Sequence, residues 1–170
     1  MKKIQILLIV LLAVTSVAAA GSLQKPDNTF NAVLSGSAEV PPRATEASGS
    51  ASFTLINDGT ALDFRVRVAN IQNVFAAHIH CGAVGANGPV GVTLFMGMPG
   101  SGPVTKSILA QGVITAPDVG NGCGWMTMAD VVAAIQSGNT YVNVHTNDGV
   151  DPTNTGPGDF PGGEIRGQIH

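Results

Sequence analysis

The sequence is short of charge. Asp, Glu, Lys and Arg together make up 11% of its 170 residues, against about 25% in an average soluble domain. Its basic residues stand apart except for Lys2-Lys3 and the Arg65/Arg67 pair, and the formal net charge is −3. Nothing here would neutralise a phosphate backbone, so nucleic acid is excluded as a partner. Glu and Lys are scarce, which removes the helical bundle and the coiled coil. Aromatic residues are only 5% and cysteines only two. No Gly-x-Ser-x-Gly nucleophile signature occurs, and no other serine-histidine-aspartate set can be assembled. The Gly-rich stretch Gly82–Gly88 opens no helix, so it does not read as a phosphate-binding loop. What the sequence does hold is apolar residues (44%), 22 Gly and 10 Pro. That pairing excludes a disordered chain and favours many short strands joined by tight turns.

The first twenty residues read as a signal peptide. Lys2 and Lys3 precede the apolar run Ile4–Val14, and Ala18-Ala19-Ala20 supplies the small residues of a cleavage site. The apolar run breaks at Thr15-Ser16, short of the roughly 20 residues that a membrane span needs. No cysteine stands at the cleavage site to carry a lipid. Cleavage after Ala20 leaves no membrane anchor, and the expected location is secreted or periplasmic. In that oxidising setting Cys81 and Cys123 read as a disulfide. Two buried thiols and two metal ligands are the alternatives.

Periodicity gives the strands. Ala51, Phe53 and Leu55 alternate with Ser50, Ser52 and Thr54, and Asn57-Asp58-Gly59 marks a hairpin. The return strand puts Leu62, Phe64, Val66 and Val68 inside and Asp63, Arg65 and Arg67 outside. Further strands are expected at 29–34, 74–80, 92–96, 104–114, 141–146 and 163–169. Thr127 and Asp130 start a short helix over 127–137 that ends at Gly138. Residues 147–163 are a long loop. The fold class is all-β, an antiparallel β-sandwich with one short helix, in a single domain over 29–170.

Three of the four histidines carry chemical interest. His78 and His80 are two apart on one strand and leave the same face. His145 shares a face with Tyr141 and Asn143, opposite Val142 and Val144. With Ile79 and the valines inward, all three imidazoles turn outward or into a polar cleft. Three imidazoles with one open position suit copper or zinc. The competing reading is histidines that merely tie loops together. Metal-bound imidazoles usually meet a carboxylate or carbonyl through their second nitrogen, and Glu164, Asp148, Asp151 and Asp159 are candidates for that role. The loop after Thr146 is rich enough in Asp and Asn for calcium, but it lacks the EF-hand spacing, and turns need the same residues. Glu164 and Arg166 fall on one face of the last strand, where they bind something, or pair with each other or with a neighbouring strand.

Four segments then stand in order: Ala76-Ala77-His78-Ile79-His80-Cys81-Gly82, Asn87-Gly88-Pro89-Val90, Tyr141-Val142-Asn143-Val144-His145-Thr146 and Pro161-Gly162-Gly163-Glu164-Ile165-Arg166-Gly167-Gln168-Ile169. With Leu34-Ser35-Gly36-Ser37-Ala38-Glu39-Val40-Pro41-Pro42 before them, this set resembles the CHRD domain over about residues 29–169. The resemblance makes Asn143, Glu164 and Arg166 family-motif residues. It implies an immunoglobulin-type or superoxide-dismutase-like sandwich, although the full dismutase ligand set is missing. It also implies a binding or structural module without assigned catalysis, whose partner is an extracellular protein or a small ligand. A three-histidine metal protein, for metal handling or redox chemistry, is the alternative. On the same resemblance the cysteine pair pins the end of the His78–His80 strand to the segment before the helix.

Overall fold

The computed structural model describes residues 28–170. The signal-peptide expectation for residues 1–20 therefore lies outside the described residues. Eight strands appear: β1 (Thr29–Ser35), β2 (Ser48–Ile56), β3 (Ala61–Gln72), β4 (Val74–Cys81), β5 (Val90–Met96), β6 (Pro103–Ile114), β7 (Thr140–Thr146) and β8 (Ile165–Gln168). One helix, α1 (Met128–Gln136), lies between β6 and β7. Every strand pairing is antiparallel, in the order β5-β4-β7-β8-β1-β2-β3-β6.

That order corrects the expected sandwich. Two separate sheets would require a break in the hydrogen-bond ladder, and β1 bridges it. Its full length pairs with β2, while Ser35 pairs with Arg166 of β8. Asn31 and His170 also exchange two backbone hydrogen bonds of 2.8 and 2.9 Å. The single sheet then curls until its two edge strands, β5 and β6, come near each other without pairing. Phe95 of β5 and Leu109 of β6 line one shared cleft. A nearly closed sheet leaves little free strand edge, which removes an aggregation hazard.

The alternation read from the sequence places the core. Phe53 of β2, Leu62 and Val66 of β3, Ile79 of β4, Val142 and Val144 of β7 and Ile165 at the start of β8 are all buried in one cluster. Each such side chain contributes roughly 1.5–3 kcal/mol of hydrophobic free energy. α1 adds Val131 and Ile135 to the same cluster. Its start is a capping box: Asp130 Oδ2 accepts the Thr127 N–H at 2.9 Å, and Thr127 Oγ1 accepts the Asp130 N–H at 3.4 Å. Gly138, at φ +70°, ends it where an L side chain would be strained.

Cys81 and Cys123 form a disulfide, with Cα atoms 5.8 Å apart and a separation of 42 positions in sequence. The bridge fastens the end of β4 to the segment that leads into α1. That segment also covers edge strand β5, where Asp118 accepts from the Thr93 N–H at 3.1 Å and the Thr93 hydroxyl at 2.7 Å. Trp125 lies over Gly91, whose missing Cβ leaves room for the indole.

Candidate metal centre

The period of two along β4, β7 and β8 turns one face to the core and the other to polar groups. Ile79, Val142, Val144 and Ile165 take the core face. His78, His80, Tyr141, Asn143, His145 and Arg166 are therefore left for the opposite face. Strand register orders them into rows: His78 faces Asn143, which faces Arg166 in turn, and His80 faces Tyr141. The turn at 82–89, the segment 36–47 and the loop 157–163 cover this face. His80 is consequently only 7% exposed and His145 8%.

The three imidazoles converge. His78, His80 and His145 each offer one nitrogen, and those nitrogens all lie within 4.8 Å of one another. His78 Nδ1 and His145 Nε2 are 3.1 Å apart. Ligand nitrogens at 2.0–2.1 Å from a tetrahedral ion stand about 3.3 Å apart, so this pair already approximates one edge of such a site. Two of the rings are fixed by their other nitrogen. His80 Nδ1–H donates to the Gly88 carbonyl at 2.9 Å, and His145 Nδ1–H donates to the Pro161 carbonyl at 2.9 Å. Both Nε2 atoms therefore carry lone pairs. His80 Nε2 is buried and has no hydrogen-bond partner, a state that costs free energy unless something binds there.

Burial also keeps these rings neutral. It lowers the pKa of His80 and of His145 to about 4, despite their hydrogen bonds to carbonyls. His78 is lowered by burial as well, and Asp118 opposes the shift. Neutral imidazole is the form that ligates metal.

A second set of buried groups lies beside the imidazoles. The Arg166 guanidinium sits 3.4 Å over the Tyr141 ring, and His80 stacks on the same ring from the β4 side, at 4.8 Å and 9°. Arg166 donates to Asn87 Oδ1 and to the carbonyls of Ala83 and Ala86, which holds the 82–89 turn down. Asn143 Nδ2 donates to Glu39 Oε2 at 3.3 Å. Glu39 Oε1 and Asn143 Oδ1 are buried without partners. Desolvation raises the pKa of Glu39 to about 7, although Arg166 and Arg43 pull it down. A Cβ on Gly163 would come within 2.6 Å of both the Asn143 amide and Glu39 Oε1, so glycine is required there.

Several expectations for the site need correction. None of Glu164, Asp148, Asp151 and Asp159 orients a histidine; the carbonyls of Gly88 and Pro161 do. Glu164 instead accepts from Thr45 at 2.6 Å, from Thr146 at 2.6 Å and from the Gly158 N–H at 2.8 Å. It pins the last loop to the β7 end and does not pair with Arg166. Asp148 and Asp159 accept from N–H groups of their own loop, at Val150 and Thr155. Asp151 is exposed. Glu39 was legible only as one letter of a family segment. Its available signal was a lone acid between apolar residues in a chain poor in charge. Backbone carbonyls leave no sequence signal.

A disulfide-pinned, all-antiparallel β domain with a cluster of three imidazoles, two of them buried, on one sheet face is the class that fold and site define. The chain belongs to the CHRD domain family, whose model matches residues 30–169. No curated protein and no solved structure matches it.

Proposed function

We propose that this CHRD domain is a metal-binding module that holds one copper or zinc ion through His78, His80 and His145. Family membership supports a binding or structural module in general. The observation that carries the metal reading is His80 Nε2, buried without a partner and aimed among two other imidazoles. Its tautomer is set by the Gly88 carbonyl. Histidines that only tied loops together would spend both nitrogens on the loops. Here His80 spends one nitrogen on Gly88 and keeps the other free, and His145 turns its second nitrogen to His78 rather than to a loop.

The ion would take three nitrogens and keep one open position, the pattern of a reactive or exchangeable centre rather than a closed structural one. In the metal-free chain His145 Nε2 accepts the proton of His78 Nδ1, because His145 Nδ1–H is already donated to Pro161. Loading then shifts the His78 proton to Nε2 and leaves Nδ1 as the ligand. The disulfide supports a secreted or periplasmic location. The chain's own groups do three things at this site: they fix ring tautomers, exclude water, and keep the imidazoles unprotonated at neutral pH.

Elemental analysis of natively purified protein tests this reading, together with zinc and copper titration of chelator-treated protein. One ion per chain is expected, with affinity lost at least a hundredfold in His80→Ala and His145→Ala. A native sample without stoichiometric metal that also fails to take up either ion overturns it.

A further inference from the structure

Two buried charged side chains lie beside the three imidazoles, on the Asn143–Arg166 row. Arg166 is 2% exposed, and its hydrogen bonds go to neutral acceptors. Its charge is stacked through Tyr141 onto His80. Glu39 is joined to the same row of the sheet through Asn143, whose partner across the β7–β8 ladder is Arg166. It is 4% exposed. Water screens neither group well.

A buried cation near a metal penalises the higher oxidation state, and a buried anion favours it. The imidazoles bring no negative charge of their own, so the flanking pair decides. We propose that Arg166 and Glu39 set the oxidation state in which the three-histidine centre holds copper, with the guanidinium favouring Cu(I) and the carboxylate favouring Cu(II). This rests on the metal reading above. The step is a one-electron reduction by a small-molecule reductant such as ascorbate. Cu(II) gains the electron, ascorbate loses it, and the centre's charge falls by one. At an effective dielectric constant of about 20, a unit charge roughly 10 Å away shifts such an equilibrium on the order of tenfold, and the stack of Arg166 on Tyr141 and of Tyr141 on His80 spans that order of distance. Tenfold corresponds to about 59 mV for one electron.

The test measures Cu(I) and Cu(II) affinities separately on the full chain at pH 8, each by competition with a chromophoric chelator selective for that state. Wild type, Arg166→Gln, Glu39→Gln and Tyr141→Phe are compared. Arg166→Gln is expected to lower the ratio of Cu(I) to Cu(II) affinity tenfold or more, and Glu39→Gln to raise it by a similar factor. Tyr141→Phe keeps both charges and the ring and loses only the hydroxyl that contacts Gly88, so its effect falls on both affinities together and leaves the ratio within twofold. A loosened fold lowers both affinities together and cannot give opposite signs. Should Arg166→Gln fail to fold, Glu39→Gln carries the test, because Gln retains the acceptor that Asn143 needs. One copper bound per chain through the histidines, with ratios shifted less than threefold or both in one direction, overturns this inference and leaves the metal site standing. No copper uptake in either state overturns both.

Discussion

Replacing Glu39 by Gln should change how stability depends on pH. The folded chain holds the Glu39 proton to about pH 7, whereas the unfolded chain releases it near 4.5. Between those values the folded state binds more protons than the unfolded one. Stability from this group is thus present below pH 4.5 and lost as pH rises through 7. One pKa unit is worth about 1.4 kcal/mol, and a side chain this buried has little solvent screening. The full cost of ionising Glu39 is therefore about 3 kcal/mol, reached above pH 7. By pH 5 less than about 1 kcal/mol remains. Gln has the same shape, still accepts from Asn143 Nδ2 and does not titrate. Glu39→Gln should be more stable than wild type by about 3 kcal/mol at pH 8 and by under about 1 kcal/mol at pH 5. Urea unfolding at pH 5, 6, 7 and 8, with EDTA present to keep the chain metal-free, reads the difference directly. Other titrating groups are common to both proteins and cancel. A gap that stays constant, or that widens toward acid, refutes the reasoning.

Three further outcomes follow from the same geometry. His80 and His145 titrate near 4 when folded and near 6.5 when free, so their contribution is present above pH 6.5 and lost as pH falls toward 4. Metal-free protein should lose several kcal/mol over that range, and His145→Gln should lose measurably less, by urea unfolding at pH 6.5 and 4.5. Cys81→Ala with Cys123→Ala should cost about 4 kcal/mol, the loop-closure entropy of a bridge spanning that many residues; it should also weaken zinc binding, because Cys81 follows His80 directly. Gly163→Ala should cost more than about 2 kcal/mol, since φ there is +127° and the new Cβ meets Asn143 and Glu39. Chemical denaturation reads the cost, and Gly162→Ala, which meets only the end of the Arg43 side chain at 3.8 Å, serves as the mild control.

Local order was legible in the residues themselves. Alternation in 50–68 fixed which side chains enter the core, and the Asn-Asp-Gly turn fixed how β2 returns as β3. Thr127 with Asp130 marked the helix start. His78 and His80 had to share a face because strand side chains repeat every two residues, and His145 had to oppose Val144 for the same reason. These are short-range rules, set by backbone geometry within a few residues.

Everything that depends on distance in space waited for the tertiary structure. Whether two sheets form or one depends on the seam between β1 and the C-terminal strand, where Ser35 pairs with Arg166 and Asn31 with His170, residues more than 130 positions apart. No local pattern encodes it. The convergence of three nitrogens depends on the register of β4 against β7. The tautomers depend on two carbonyls, and every residue carries a carbonyl, so the sequence cannot single them out. Glu39 acquires its perturbed proton only when the fold strips water from it beside Asn143. Sequence determined which side chains could share a face; packing decided which of them meet, because desolvation and charge act through space and not along the chain.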